Sequence, residues 1–168
     1  MLLRCYWRLV LSDVLFLAKA EISIEQADQS DLAQIVNLLK VNNLPYSDIS
    51  FCINEMIVMV KMSNTSNTII GVAAIEDYSP YGLLRSVSIF ESFKGRGYGR
   101  LLLQEMIKQA KQKEIRELYL FTTSAQEFFQ RFGFTQVDRL LLPPTIQNTS
   151  EFRYLCSATA TSMKLSIK

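Results

Sequence analysis

One stretch of the chain, Leu83 to Lys113, limits most strongly what the sequence can fold into. Residues 83–89 alternate in side-chain type and include β-branched residues, which predicts a strand. Residues 95–99 then contain three glycines in five positions, which predicts a turn. From Leu102 onward, apolar residues recur at helical spacing with polar residues opposite them, which predicts an amphipathic helix. The sequence therefore predicts a strand, a glycine-rich turn and a helix in direct succession.

The turn within this stretch has the chemistry of an anion-binding loop. Its members are Lys94, Gly95, Arg96, Gly97, Tyr98, Gly99 and Arg100. Glycines let the backbone approach a ligand closely, and the amides at a helix N-terminus favour an anion. The loop lacks the Gly-Lys-Ser/Thr end of a Walker A motif, and Arg100 stands where the dinucleotide fingerprint requires glycine. It predicts a phosphate-binding loop; a glycine-rich turn without a ligand is the alternative.

Length, charge and cysteine spacing limit the class of protein. A chain of 168 residues corresponds to one domain with a core of its own. The formal net charge of +2 does not indicate a nucleic-acid partner. Cys5, Cys52 and Cys156 are widely spaced, which argues against a disulfide framework or a structural zinc site. We therefore expect a cytoplasmic protein without a metal.

The chain contains no histidine, which restricts the chemistry it can perform. Ser-His-Asp and Cys-His catalysis and histidine-ligated metals are excluded. A general base would have to be a carboxylate, a lysine, a tyrosine, a cysteine or a bound water. Acetyl transfer from a thioester is possible with these groups, because the acyl group is already activated and the enzyme mainly positions the amine.

The first 20 residues have early basic residues and apolar runs like those of an export signal. Ser12 and Asp13 interrupt the apolar run, which is too short to span a membrane. We interpret residues 1–20 as an N-terminal extension from an upstream start codon, with an export signal and an added amphipathic helix as the alternatives. A single domain without a membrane partner is then predicted over residues 21–168.

Hydrophobic periodicity predicts further elements on both sides of the central stretch. Before it, we expect a strand at 22–25, helix caps at 28–31, a helix at 32–39, strands at 56–62 and 68–76, and turns at 64–67 and 77–82. After it, we expect a strand at 118–121, a helix at 126–132, strands at 134–138 and 160–167, and a loop or short helix at 145–154. The order β-α-(α)-β-β-β-α-β-α-β-β indicates an α/β fold.

The glycine loop, with a basic residue followed by x-x-Gly-x-Gly between a strand and a helix, resembles the acyl-CoA loop of the GCN5-related N-acetyltransferases (GNAT superfamily). The element order is also that of this superfamily. The resemblance implies an α/β acyl-CoA N-acyltransferase fold with a mixed central sheet of six to seven strands flanked by helices. It further implies an enzyme that uses acetyl-CoA as co-substrate and a small-molecule amine as acceptor, as a monomer or homodimer.

Several pieces of the chain are similar to a narrower group, the arsenic-resistance N-acetyltransferases. They are residues 75–78, 82–87, 118–123 and 128–134 and the tail at 144–156. This resemblance implies an amino-acid-like acceptor of the arsinothricin or phosphinothricin type and a link to arsenic resistance. One departure is visible, because Ser157 follows Cys156 where the group has proline.

The resemblance to the superfamily also implies which residues bind the co-substrate. The backbone amides of residues 94–99 would bind the pyrophosphate, with Lys94, Arg96 and Arg100 as electrostatic support. The backbone at Val87, Ser88 and Ile89 would pair with the pantetheine arm like an added strand. That pairing would hold the neighbouring strand apart and leave the thioester in the gap.

The catalytic side chains are predicted from the same comparison. Phe129 stands where many members have a tyrosine that protonates the leaving thiolate, so Ser124 or a water would take that role, or the thiolate would leave unassisted. We expect Glu76 to act as the general base; an exposed carboxylate at the start of a turn is the alternative. Glu91 is a second candidate on the side of the glycine loop, where solvation is expected.

Four residues are predicted to bind the acceptor or to line its pocket. Arg85 lies within a strand, and its guanidinium could hold an anionic group of the acceptor bidentately, or it could form an ion pair with a neighbouring carboxylate. Thr149 and Phe152, together with Glu151, would line the acceptor pocket if the tail folds over it; a purely structural loop is the alternative. Cys156 is expected to be a small buried apolar residue, and arsenic binding by cysteine is rejected because no cluster of thiols is present.

Two other functions remain open at this stage. Acetylation of protein N-termini or lysines would need an open acidic groove, whereas a pocket sealed by residues 144–156 favours a small molecule. A non-catalytic acyl-CoA sensor would be consistent with Phe129 in place of tyrosine.

Overall fold

A seven-stranded mixed sheet forms the centre of the fold. The computed structural model describes residues 22–62 and 66–167, so the predicted extension at 1–20 and half of the predicted turn at 64–67 lie outside the described residues. The strands are β1 (Ile22–Gln26), β2 (Met56–Lys61), β3 (Thr68–Tyr78), β4 (Tyr81–Ile89), β5 (Glu117–Thr122), β6 (Thr135–Gln136) and β7 (Thr161–Ser166). They lie in the order β1-β2-β3-β4-β5-β7-β6, and within this sheet β4 and β5 are parallel while the other neighbours are antiparallel.

Helices lie on both faces of the sheet. They are α1 (Leu32–Val41), α2 (Ile49–Cys52), α3 (Tyr98–Gln112), α4 (Gln126–Gln130) and α5 (Pro144–Gln147), followed by a π-helical turn at Glu151–Leu155. The fold class predicted from the sequence is confirmed. None of the helices in the described part of the chain is long and apolar enough to cross a membrane.

A 3₁₀ turn at Gln29–Asp31 leads directly into α1 and shows how local sequence sets an element boundary. Asp28 accepts a hydrogen bond from the backbone of Ser30, and Asp31 accepts one from the backbone of Asp28, which forms a capping box for this turn. Such reciprocal bonds satisfy amide groups that a helix start would otherwise leave without partners. This confirms the caps predicted at residues 28–31, although Asp31, at the N-cap of α1 itself, makes no side-chain cap bond.

The two faces of the sheet are covered by different clusters. On one face, Leu102 and Met106 of α3 pack against β3 and β4. On the other, Ile35 and Leu38 of α1 pack against β2 and β3. A third cluster joins Leu83 and Tyr119 to Leu142 and Ile146 and so fixes the segment that contains α5 to the sheet.

The sheet opens between β4 and β5. The two strands pair at three positions, Tyr81 with Glu117, Gly82 with Leu118 and Leu83 with Tyr119, and the pairing found in the described residues ends there. Beyond this point β4 carries an irregularity opposite Val72 and Ala74, where Ser86 adopts a left-handed φ of 59°. A bulge of this kind bends a strand and increases its twist. The two strands therefore diverge and leave a cleft at the carboxyl end of β4.

Several element boundaries differ from those predicted. Strand β3 continues to Tyr78 and β4 begins at Tyr81, because the two strands stay paired up to their connecting turn. The strand predicted at 134–138 contains only Thr135–Gln136. The region from 145 to 154, predicted as loop or short helix, contains α5 and the start of the π-helical turn.

Leu102 and Leu101 are neighbours on α3 that allow a matched test of this packing. Leu102 is fully buried against the sheet, whereas Leu101 is 47% exposed. We expect Leu102→Ala to lower the free energy of unfolding by about 2–5 kcal/mol, because it removes apolar contact and leaves a cavity. Leu101→Ala should cost less than about 1 kcal/mol. Urea denaturation followed by circular dichroism measures both, and equal losses would contradict the packing described.

Candidate active site

A cavity of about 500 Å³ occupies the cleft between β4 and β5. Residues 84–89 of β4 form one wall and residues 120–125 at the end of β5 form the opposite wall. The loop at 42–45, Glu151 and residues 155–157 contribute to the lining, and Lys94 of the glycine loop lines it as well. The cavity therefore contacts both the glycine loop and the C-terminal segment of the fold.

The glycine loop presents backbone amides at the start of α3. Gly95 and Gly97 have left-handed φ values of 76° and 85°, and no described atom lies within 4 Å of a Cβ placed on either. Glycine is thus required at both positions by backbone conformation and not by crowding. The first helical bond runs from the amide of Leu101 to the carbonyl of Gly97 at 3.2 Å, so the three preceding amides have no acceptor within the helix. This geometry fits an anion such as pyrophosphate.

The charged side chains of the loop lie at the surface. Lys94 forms an exposed ion pair with Glu91, with Nζ 2.6 Å from Oε2. The guanidinium of Arg96 lies over the ring of Phe93 at 5.4 Å, and Arg100 is exposed. Glu91 is thus a solvated partner of the loop, as expected from the sequence. Electrostatic support of a phosphate by the three basic residues stays a prediction.

The β4 wall contains the residues predicted to bind the pantetheine arm. Val87, Ser88 and Ile89 all line the cavity, on the strand edge that β5 does not cover. The Ser88 side chain is buried, and its Oγ has no hydrogen-bond partner among residues 22–62 and 66–167. Backbone pairing of this edge with a ligand stays a prediction.

The opposite wall contains Ser124 and Phe129. Phe129 is buried and packs edge-to-face against Phe128 and Phe134, with ring centroids 5.1 and 5.6 Å away. Phe129 therefore acts as an apolar wall and has no proton to donate. Ser124 is exposed and lines the cavity, so proton donation by Ser124 or by a water stays a prediction.

Arg85 is surrounded by carboxylates. Its Nη1 and Nη2 donate to Asp48 at 2.7 and 2.9 Å, Nη1 also donates to Glu76, and Nη2 lies 3.1 Å from Oε2 of Glu151. Burial acts to lower the pKa of Arg85, but the hydrogen bonds to Asp48 and Glu76 and the charge of Glu151 outweigh it and raise that pKa. The prediction that Arg85 holds an anion of the acceptor is corrected, because both Nη atoms already contact carboxylates. The ion-pair alternative applies.

Glu76 is not placed to act as a general base. One carboxylate oxygen accepts a hydrogen bond from Arg85, and the other accepts one from the hydroxyl of Tyr78 at 2.7 Å. The residue is buried and is absent from the described lining of the cavity. The prediction of a catalytic Glu76 is corrected, since both of its oxygens serve the buried network. The sequence could not reveal this, because Glu76 and Arg85 meet only through the register of β3 and β4.

Glu151 is the carboxylate that lines the cavity. Burial raises the pKa of its carboxyl, the charge of Arg85 opposes that rise, and Asp48 and Glu76 increase it. Its Oε2 makes no hydrogen bond to any described residue, although it faces Arg85. The tail motif pointed to this residue among three candidates, and Asp48 was missed because nothing local in the sequence distinguishes it.

Thr149 and Phe152 have structural contacts instead of the predicted contacts with an acceptor. The hydroxyl of Thr149 donates to the carbonyl of Ile146 at 2.8 Å and accepts from the amide of Phe152 at 3.2 Å. The Phe152 ring packs against Phe121 and lies beneath the guanidinium of Arg139. Neither residue is among those that line the cavity. Their role is to shape the segment that presents Glu151.

Two cysteines of the described chain are free thiols. Cys52 is buried, and burial raises its pKa to about 11. Cys156 lines the cavity and is only half-buried, so the expectation of a buried residue is wrong, and burial raises its pKa as well. Both thiols are therefore weak nucleophiles at neutral pH.

Arg85→Met tests the charge balance of the buried network. Removing the guanidinium leaves Asp48, Glu76 and Glu151 facing one another, so we expect a loss of about 3–5 kcal/mol in the free energy of unfolding near pH 8. The pKa of Glu151 is already raised by burial, and without the opposing charge of Arg85 it rises further above its unfolded value. Stability therefore falls as pH rises through the range in which Glu151 loses its proton, and the loss should be smaller near pH 5.

Lys164→Met is the matched control for this variant. Lys164 pairs with Glu117 at 2.9 Å, but both side chains are partly exposed. Its removal should cost less than about 1 kcal/mol at either pH. Denaturant titrations at pH 5 and pH 8 measure both variants, and a loss for Arg85→Met that does not change with pH would contradict the charge imbalance.

Comparisons with known proteins agree with this geometry. Residues 40–134 match the acetyltransferase (GNAT) family. The amino-acid acetyltransferase of Escherichia coli K12 is 34% identical over 79 residues, which cover 46% of this chain and 18% of that protein. The ribosomal protein bS18-alanine N-acetyltransferase of Haemophilus influenzae is 33% identical over 76 residues, or 44% of this chain and 52% of that protein.

This chain thus spans less than a fifth of the first relative and about half of the second. The N-acetylglutamate synthase of Neisseria gonorrhoeae, solved with coenzyme A and L-arginine, has a similar fold. Its TM-score is 0.74 at 22% identity, over 88% of this chain and 34% of that one. On the family match over residues 40–134 and the shared fold, the chain belongs to the acetyltransferase (GNAT) family.

Proposed function

We propose that this protein is an acetyl-CoA-dependent N-acetyltransferase that acts on a small amine. One observation carries the proposal: a single cavity contacts the glycine loop at one side and the buried carboxylate Glu151 at the other. The first feature suits the phosphates of a coenzyme and the second suits an amine. Both relatives described above carry the name of an N-acetyltransferase or amino-acid acetyltransferase, which supports the same reaction class.

The residues of the chain fit acetyl-CoA as co-substrate. The amides of Tyr98, Gly99 and Arg100 would bind the pyrophosphate, and the uncovered edge of β4 from Val87 to Ile89 would accept the pantetheine arm. Acetyl-CoA supplies an activated thioester, so that the N–C bond forms as the C–S bond breaks and coenzyme A leaves as a thiol. The residues of the chain have to bind acetyl-CoA and the amine, align them and transfer one proton.

Glu151 is our candidate for the group that receives the proton of the amine, directly or through water. A carboxyl with a raised pKa holds a proton more readily near neutral pH than an exposed glutamate does. Arg85 orients this carboxylate from behind and is thus a positioning residue. On the other wall, Ser124 or a water would supply a proton to the leaving thiolate.

The C-terminal segment favours a small acceptor. Glu151, Leu155 and Cys156 line the cavity together with the loop at 42–45. An amino-acid-like acceptor agrees with the name of the Escherichia coli relative. An acceptor of the arsinothricin or phosphinothricin type, with a role in arsenic resistance, remains the finer prediction from the tail motif and has to be tested among other amines.

Protein N-terminal acetylation is the second candidate, because the Haemophilus influenzae relative is named for it. A non-catalytic acyl-CoA sensor is the third, because Phe129 replaces the expected tyrosine. An acceptor panel separates the three: arsinothricin, phosphinothricin, amino acids, polyamines and peptides with a free N-terminal alanine. Turnover restricted to peptides would indicate the second, and coenzyme binding without turnover would indicate the third.

Gly97→Ala tests the co-substrate loop. Alanine is strained at a φ of 85° and would add a methyl group beside the orphan amides, so we expect the Kd for acetyl-CoA to rise about tenfold. Gly133→Ala is the control, because Gly133 has a similar φ of 88° at the end of α4 and is absent from the described cavity lining. Isothermal titration calorimetry with acetyl-CoA measures both. Equal effects would show that the change acts through stability alone.

Glu151→Gln tests the proposed base. We expect kcat to fall by a factor of about 10²–10⁴ with the best acceptor of the panel, because the amide cannot accept the proton. Affinity for acetyl-CoA should not change. Release of free thiol gives the rate, and Glu127→Gln, an exposed carboxylate on α4, is the control. Full activity of Glu151→Gln would remove Glu151 from the mechanism.

A further inference from the structure

The side of the cavity that contains Arg85, Ser88 and Glu151, called the acceptor side below, includes most of the buried polar atoms that lack a hydrogen-bond partner in the described chain. Within the described residues, four buried side-chain nitrogen or oxygen atoms have no hydrogen-bond partner. Three of them, Nε of Arg85, Oγ of Ser88 and Oε2 of Glu151, belong to residues that line this one cavity. These residues are only 4%, 6% and 7% exposed, respectively. Oε2 of Glu151 still forms an ion pair with Nη2 of Arg85 at 3.1 Å, so Nε of Arg85 and Oγ of Ser88 are the clearer cases. Buried polar groups are nearly always paired, so such atoms beside one cavity indicate a polar ligand.

The charge of this side is negative. Asp48, Glu76 and Glu151 bring three carboxylates to the single guanidinium of Arg85, so negative charge exceeds positive charge even if Glu151 is protonated. Among the described lining residues, the other basic side chain is Lys94, which belongs to the glycine loop and pairs with Glu91. Both cations therefore already pair with carboxylates, and Arg85 has only its Nε–H left to donate to one anionic group of an acceptor.

We propose, on the basis of the proposed acetyltransferase function, that this side of the cavity holds the acceptor as an ammonium group on Glu151 and selects acceptors without net negative charge. Ser88 Oγ can accept a second hydrogen bond from the ammonium, and Nε–H of Arg85 can donate one to a carbonyl or carboxylate beside it. A neutral zwitterionic amino acid offers both groups, the ammonium for Glu151 and Ser88 and the carboxylate for Nε–H of Arg85. An acceptor with a further anionic group leaves that group unpaired beside an excess of carboxylates.

The proposed charge preference disagrees with the type of acceptor that the tail motif suggests. Arsinothricin and phosphinothricin resemble glutamate and carry an additional anionic group on the side chain. A site for such a molecule needs a cation that is not already paired. The described lining of this cavity offers Arg85 and Lys94, and each already contacts at least one carboxylate.

The experiment compares acceptors of similar size and different charge. L-Glutamate, L-glutamine and L-lysine are titrated into the full chain by calorimetry, with and without saturating coenzyme A, and each is also tested for turnover. We expect glutamine and lysine to bind at least tenfold more tightly than glutamate. In Glu151→Gln the advantage of lysine should shrink severalfold, while Ser88→Ala should weaken all three alike. Glu127→Gln should leave the series unchanged.

Other outcomes would overturn the proposal. Binding of glutamate or phosphinothricin as tight as that of glutamine would refute the charge selection. The absence of binding for the whole series at about 10 mM, roughly ten times the upper end of typical KM values, would refute it as well. The proposed function fails separately, if coenzyme A gives neither heat nor a shift in Tm. In that case the titrations without coenzyme still decide the charge preference.

Discussion

The early end of pairing between β4 and β5 is the constraint on which the rest of the site depends. Three paired positions hold the strands together, and beyond Leu83 they diverge. The bulge at Ser86 lies within this unpaired part, so β4 bends where β5 no longer restrains it. Because of this divergence, one strand edge keeps backbone groups available, and Lys94 of the glycine loop lines the same cleft. The proposed coenzyme and acceptor sites therefore meet at one interruption in the sheet.

The buried network around Arg85 connects parts of the chain that are distant in sequence. Asp48 precedes α2, Glu76 lies on β3 and Glu151 begins the π-helical turn, and all three contact one guanidinium. Burying charges costs desolvation energy that ion pairing only partly offsets, so such a network is a weak source of stability. Its value is geometric, because it fixes the C-terminal segment over the cleft with one carboxylate directed toward the cavity.

The sequence was sufficient for features that depend on neighbouring residues. The glycine loop, the caps at residues 28–31 before α1 and the strand–loop–helix order all follow from local pattern, and the structure has them where they were expected. The roles of Glu76, Arg85 and Asp48 could not be predicted in the same way. Whether an acidic residue on β3 is a base or the partner of an arginine depends on sheet register and on a loop 37 positions away from that arginine. Neither the sheet register nor the position of that loop can be predicted from a local motif.

Because the chain has no histidine, the influence of the buried network on the pKa of Glu151 matters for the proposed chemistry. An enzyme that must take a proton from an amine near neutral pH needs a group whose pKa lies above that of an ordinary carboxyl. Burial and the two neighbouring carboxylates push the pKa of Glu151 in that direction, while Arg85 limits the rise. In the proposed mechanism Asp48 and Glu76 thus do more than neutralise an arginine. Both Nη atoms of Arg85 donate to them, so Glu151 keeps an ion-pair contact with Nη2 but no hydrogen bond. Its anion is therefore less stabilised than in a simple hydrogen-bonded Arg–Glu pair, which favours the proposed role as proton acceptor.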